Sequence, residues 1–149
     1  MMSFNERIVA EAKTWLGVPY KHMGFRKTGC DCTGFLLGIA HSVGFLLDYK
    51  MRKYPKDWNL HGMANDYLIK ELGKFCSRAS KKEAIPGDIL VFRWGRCESH
   101  AGILLENQTF IHMTENSHCK ISSLKDSMHS KRWAVVFRVN PSLLGEVKQ

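Results

Sequence analysis

The feature that most limits the fold of this chain is a change of period after Pro86-Gly87. Before it, apolar residues recur at helical spacing; after it come short β-rich runs divided by turns. Ile8, Val9, Ala12, Trp15 and Leu16 trace one helical face, and Ser3-Phe4-Asn5-Glu6 reads as a capping box with Ser3 at the N-cap. Gly17 and Pro19 stop that helix, and "VPYKHMGFRKTG" reads as loop. A second, buried helix is expected from Cys32 to about Leu46. Gly34 and Gly38 lie four apart in it, so one face is smooth enough for close packing despite poor helix propensity. A third helix is expected from about Gly62 to Lys74. "RASKKEAIPGD" reads as a linker, with Pro86-Gly87 forming a type II turn. "ILVFRW", "HAGILLE", "TFIHM", "CKISSL" and "WAVVFRV" follow as strands, and the tail from Pro141 reads as a frayed end. Helices first and an antiparallel meander of about five or six strands afterwards indicate an α+β fold.

A chain of 149 residues suits one domain, here 1–149 with its core at about 4–140. The apolar runs are too short to span a membrane. "MMSFNERIVAEAKTWLG" lacks a basic segment followed by an apolar one, so synthesis in the cytoplasm without a signal peptide is expected. The formal charge of +8 suits an anionic partner such as nucleic acid, membrane or cell-wall polymer, or serves solubility alone. The basic residues are scattered, and no zinc-finger spacing, RNA-binding signature or P-loop accompanies them, so nucleic acid is not an expected partner.

Cys30, Cys32, Cys76, Cys97 and Cys119 make an odd number, and reduced thiols are the default in a chain without a secretion signal. Cys30-Asp31-Cys32 lacks the spacing of a zinc knuckle and no second close pair exists, so neither a metal site nor a cofactor is expected. A disulfide between Cys30 and Cys32 would close a strained ring. Cys32 stands where a loop becomes a helix, whose free N–H groups should lower its thiol pKa; Cys30 lacks that placement.

A nucleophilic thiol needs a base, and the base needs a group to orient it. His100 opens the run Ala101–Leu105 and His112 closes the run Thr109–Ile111. An odd-length hairpin loop puts both on one sheet face, and an even one separates them. A three-residue loop Leu105-Glu106-Asn107 would set His100 opposite His112, with Asn107 in the left-handed position. Each residue also has an ordinary reading: a buried structural thiol for Cys32, and hydrogen-bonded sheet histidines for the other two. His22, His61, His118 and His129 are assigned to solvent, and Trp58 and Trp94 to a cleft wall or to core packing.

The ordered motifs Pro19-Tyr20, Asp31-Cys32-Thr33-Gly34-Phe35, Pro86-Gly87-Asp88-Ile89, His100-Ala101-Gly102-Ile103 and Ile111-His112 resemble the NlpC/P60 family of cysteine peptidases, from about Trp15 to Phe137. Within it, Pro19-Tyr20-x-His22, Gly29-Cys30-Asp31-Cys32, Tyr54-x-x-Asp57-Trp58 and Phe137-Arg138 look closest to small cell-wall peptidases encoded with phage and gene-transfer-agent tail genes. The resemblance implies a papain-like fold with the site where the Cys32 helix meets the sheet. It implies Cys32 as nucleophile, His100 as general base and His112 as its orienter. Tyr20 would sit near the nucleophile, Asp31 would pair with a stem-peptide amine, and the Cys32 N–H would form part of the oxyanion hole.

Thr33 stands where the family has serine and keeps the hydroxyl. Ala101 replaces a common valine, and His22-Met23-Gly24 replaces an aromatic-Gly-Gly, which bears on substrate preference. The implied substrate is a peptidoglycan stem peptide, cut between D-γ-glutamate and a diamino acid after delivery by a phage tail, a secretion device or lysis. The competing readings are a non-catalytic tail-assembly or tail-tip component, and an amidase or acyltransferase of the same superfamily.

Overall fold

The computed structural model describes residues 2–44, 67–94, 97–114 and 117–144. The chain opens with α1 (Phe4–Lys13), which carries the expected capping box: Glu6 N–H donates to Ser3 Oγ, and Ser3 N–H donates to Glu6 Oε1, both at 3.1 Å. Ile8, Val9 and Ala12 point into the core. The segment read as loop contains a short hairpin, β1 (Phe25–Arg26) with β2 (Gly29–Cys30). Two-residue strands leave no readable alternation, which is why sequence pattern misses them.

Next comes α2 (Cys32–Ser42). Its glycine face is used as expected: a Cβ at Gly34 would strike the Gly24 carbonyl, and one at Gly38 would strike the Trp15 indole and the Phe25 carbonyl. The helix therefore packs flat on the hairpin and on Trp15. The expected continuation to Leu46 lies outside the described residues, as do Tyr54, Asp57, Trp58 and His61. Of the third helix, α3 (Tyr67–Gly73) is described.

The six-stranded antiparallel sheet comprises β3 (Cys76–Ala79), β4 (Ile89–Trp94), β5 (Cys97–Leu104), β6 (Thr109–Met113), β7 (Cys119–Ser123) and β8 (Trp133–Val139). The spatial order is β3-β8-β4-β5-β6-β7. Only β4 to β7 form a meander; β8 returns to pair with β4, and β3 pairs with β8. β3 corrects the reading of Arg78-Ala79 as linker, since an edge strand with one neighbour needs no apolar alternation. Two helices also escaped the sequence pattern, α4 (Ser127–Arg132), capped by Asp126, and α5 (Pro141–Leu144) where a frayed end was expected.

Pro86-Gly87 turns as expected, with Asp88 N–H donating to Ile85 O at 3.0 Å and Gly87 at φ 94°. Ile89 and Val91 of β4 join the main core under the helices, while Leu90 and Phe92 join a second cluster with Leu104, Phe110, Leu124 and Val136. β4 is thus covered on both faces. No helix among the described residues is long and apolar enough to cross a membrane.

Candidate active site

Cys32 is the first residue of α2, and Asp31 is its N-cap. One Asp31 oxygen accepts the Gly34 N–H and the other accepts the Met23 N–H, both at 2.8 Å. The first bond starts the helix; the second holds Met23 in the left-handed region at φ 61°. Thr33 is buried and its hydroxyl turns to Asp31 Oδ1, 3.3 Å away, while His22 Nδ1 lies 3.9 Å from Asp31 Oδ2. Asp31 and Thr33 therefore stand together in the cap beneath the thiol. Tyr20 is half-buried and bridges to Cys30, two residues before Cys32.

The two cysteines differ in access. Cys30 is fully buried and Cys32 is half-buried. Their acidities are alike: burial first, and the Asp31 charge second, push each thiol up to about 12. This corrects the expected lowering at Cys32. Backbone N–H groups of Ala101 and Thr33 do favour its thiolate, but burial and the adjacent carboxylate outweigh them. Cys32 is a neutral thiol at neutral pH, and it donates to the Ser99 carbonyl at 3.5 Å.

Ser99, His100 and Ala101 lie past the end of the β5–β6 ladder, which starts at Gly102 opposite His112. The Cys32 thiol thus docks on backbone flanking His100 on both sides. His100 and His112 share a sheet face, as an odd-length loop requires, but the loop differs by one residue from expectation. Leu105 N–H donates to Thr109 O, and Glu106-Asn107-Gln108 turn the chain, with Asn107 and Gln108 at positive φ. His112 consequently faces Gly102 and lies diagonal to His100. A Cβ at Gly102 would come 3.0 Å from the His112 Cβ and 2.9 Å from Ile111 O, so glycine leaves the room in which the rings meet.

They meet closely: His100 Nε2 and His112 Nδ1 are 2.8 Å apart. The other nitrogen of His112 lies 2.7 Å from Ser122 Oγ. This leaves His100 Nδ1 as the ring nitrogen available to a thiol. Burial, then His129, lowers His100 to about 4; burial, then His100, His129 and Lys120, lowers His112 to about 2. Both rings are neutral at pH 7.

Trp94, half-buried, stacks 5.1 Å from the His100 ring and carries the Arg132 guanidinium 4.8 Å over its own face. His129, assigned to solvent from sequence, is instead buried, with its ring 5.8 Å from His112 and 5.1 Å from Phe110. It lies on α4, which folds back onto that sheet face. Ser122 and His129 escaped sequence reading because their proximity to His112 depends on the register of β7 and the course of α4. The serine pair in "CKISSL" carries no signal until that register is known.

The fold is papain-like α+β, with a half-buried thiol at a helix start and a two-histidine line on the antiparallel sheet. The chain belongs to the NlpC/P60 family, whose sequence model matches residues 17–138. It is 30% identical over 133 residues to the murein DD-endopeptidase MepS/murein LD-carboxypeptidase of Escherichia coli K12, covering 89% of this chain and 62% of that protein. It is 26% identical over 125 residues to the probable endopeptidase NlpC of the same organism, covering 83% and 70%. The crystal structure of the NlpC/p60 domain of the peptidoglycan hydrolase SagA superposes with TM-score 0.63 at 20% identity, covering 92% of this chain and all of that one. The chain thus spans less than two thirds of the length of MepS.

Proposed function

We propose that this domain is a cysteine peptidase that hydrolyses amide bonds in peptidoglycan stem peptides. The observation that carries the reading is the line Cys32–His100–His112, with the thiol docked on backbone flanking His100 and His100 Nε2 at 2.8 Å from His112. In this reading His100 Nδ1 takes the thiol proton as Sγ attacks the substrate carbonyl. Because thiol and imidazole both rest neutral, proton transfer accompanies the attack rather than preceding it. The Cys32 N–H at the helix start, with its neighbours, faces the developing oxyanion. His100 then returns the proton to the leaving amine, and water, deprotonated by the same nitrogen, releases the acyl group.

Tyr20 is assigned to substrate positioning. Both Asp31 oxygens already accept backbone N–H groups, so an amine contact to Asp31 would share those oxygens with the cap. The bond proposed is D-γ-glutamyl–diamino acid. MepS carries the names DD-endopeptidase and LD-carboxypeptidase, which makes its D,D and L,D bonds the competitors. The basic surface favours an anionic wall. The motifs that resemble phage and gene-transfer-agent proteins support delivery on a phage tail.

Purified protein and its Cys32→Ala form, incubated with defined muropeptides containing each bond and analysed by mass spectrometry, test the proposal. Cleavage of the γ-glutamyl bond by the wild type alone is the expected result. Cleavage only of a cross-link or carboxy-terminal bond would reassign specificity, and no Cys32-dependent cleavage at all would overturn the peptidase reading in favour of a binding role.

A further inference from the structure

We propose that Ser122 is a positioning residue: it holds the proton of His112 on Nε2, and thereby leaves His100 Nδ1 free to act as base. The pairings His112–Gly102 and Phe110–Ser122 put His100, His112 and Ser122 on one face of β5, β6 and β7, running diagonally across three strands. His112 is 1% exposed, so neither of its nitrogens can turn to water. Among the described residues its ring nitrogens meet His100 Nε2 at 2.8 Å and Ser122 Oγ at 2.7 Å. Lys120, directly opposite on β7, opposes a positive charge on the ring.

A neutral imidazole has one N–H and one acceptor, which leaves two arrangements. In the first, His112 donates from Nε2 to Ser122 and accepts from His100 Nε2–H, so His100 Nδ1 is bare and basic. In the second, His112 donates from Nδ1 to His100 Nε2, and the His100 proton moves to Nδ1, where the ring can no longer take a proton from the thiol. Ser122 is half-buried, so its hydroxyl can accept from His112 while its own proton turns to solvent. Only the first arrangement also supports the imidazolium that forms on His100, because His112 then accepts from it. Removing the hydroxyl strands the Nε2–H without an acceptor inside the protein, and a buried donor without a partner is the rarer and costlier defect. The ring then shifts its proton towards Nδ1.

The kinetic consequence rests on the peptidase reading; the proton position does not. Ring 15N chemical shifts of His112, recorded for wild type, Ser122→Ala and Ser122→Thr, read the tautomer directly. The wild type should carry Nε2–H, Ser122→Ala should move towards Nδ1–H, and Ser122→Thr, which keeps the oxygen, should restore the wild-type shifts. On muropeptides, Ser122→Ala should lose kcat on the order of ten-fold, the scale of one buried hydrogen bond, with KM unchanged. Ser123→Ala, next door on the strand, should leave both readouts alone. An unchanged His112 tautomer in Ser122→Ala, or wild-type kcat in that variant, overturns the proposal. A wild type that cleaves nothing overturns the peptidase reading while the 15N shifts still decide the role of Ser122.

Discussion

Two polar clusters sit on this sheet, and they are wired in opposite ways. At the start of β4, Asp88 is completely buried and every lone pair is used. One oxygen accepts from Asn5 Nδ2 at 3.0 Å and Arg138 Nε at 2.9 Å; the other accepts from Ile85 N–H at 2.9 Å and Arg138 Nη2 at 2.8 Å. That cluster ties α1, the Pro86-Gly87 turn and β8 together, and nothing in it is left over for chemistry. The histidine line is satisfied at its Ser122 end and along its length, but at its other end His100 Nδ1 has no hydrogen-bond partner among the described residues. A closed network holds the fold, and a network with one open end can move a proton. Both arise from family motifs, so motif membership alone does not separate the structural residue from the reactive one.

The contrast can be broken most severely at the open cluster. His112→Phe keeps an aromatic ring beside Phe110 and His129 and removes the partner of His100. We expect kcat on muropeptides to fall by about 10²-fold or more, while the melting temperature holds or rises. If activity survives, His112 does not orient the base. The closed cluster should respond the other way. Asp88→Ala strands Ile85 N–H, leaves Asn5 Nδ2 only the Pro86 carbonyl and takes the carboxylate from Arg138, which keeps only the Glu83 carbonyl; this should cost about 2–4 kcal/mol in urea unfolding with little change in the kcat of the folded fraction. A proportionate loss of kcat would show that the two clusters are coupled.

Acid sharpens the comparison further. His100 and His112 have folded pKa values below the ordinary 6.5, at about 4 and about 2, so the unfolded chain binds more protons once pH drops below about 6.5. Stability should therefore fall as pH decreases from about 6.5 through 4, and His112→Phe should flatten that slope. With Cys32 neutral up to about 12, alkylation by iodoacetamide should be slow at pH 7 and should rise with pH throughout the alkaline range. Rapid, pH-independent alkylation would reveal a preformed thiolate instead. The smallest effect is expected at the other cysteine. Cys30→Ser puts a hydroxyl into a fully buried site, costing about 1–3 kcal/mol while hydrolysis persists; Cys32→Ser should leave stability nearly unchanged and abolish hydrolysis.

Much of this was legible in the chain itself. The capping box at Ser3 and the Pro86-Gly87 turn are local: each is set by residues within a few positions of one another, and each forms as read, while the glycine face of α2 was visible from its own spacing though not what it packs on. The strands from β4 to β8 announced themselves by β-rich runs between turns. β1, β2 and β3 did not, because two-residue strands and an edge strand bury too little to impose a pattern.

The order Cys32, His100, His112 was written in the sequence, and an odd-length hairpin loop was the condition it set for the two histidines to share a face. The register was not: Glu106-Asn107-Gln108 form the loop, and a shift of that size changes which residue faces which without changing the face. Only the tertiary structure decided the rest. It set His112 opposite Gly102, brought Ser122 to its far nitrogen, folded α4 so that His129 is buried behind it, and placed the half-buried Cys32 beside the Asp31 carboxylate, where desolvation and that charge push its thiol up. These outcomes depend on strand register, on chain return over long separations and on the balance between desolvation and a helix end. Spacing along a sequence carries none of those quantities.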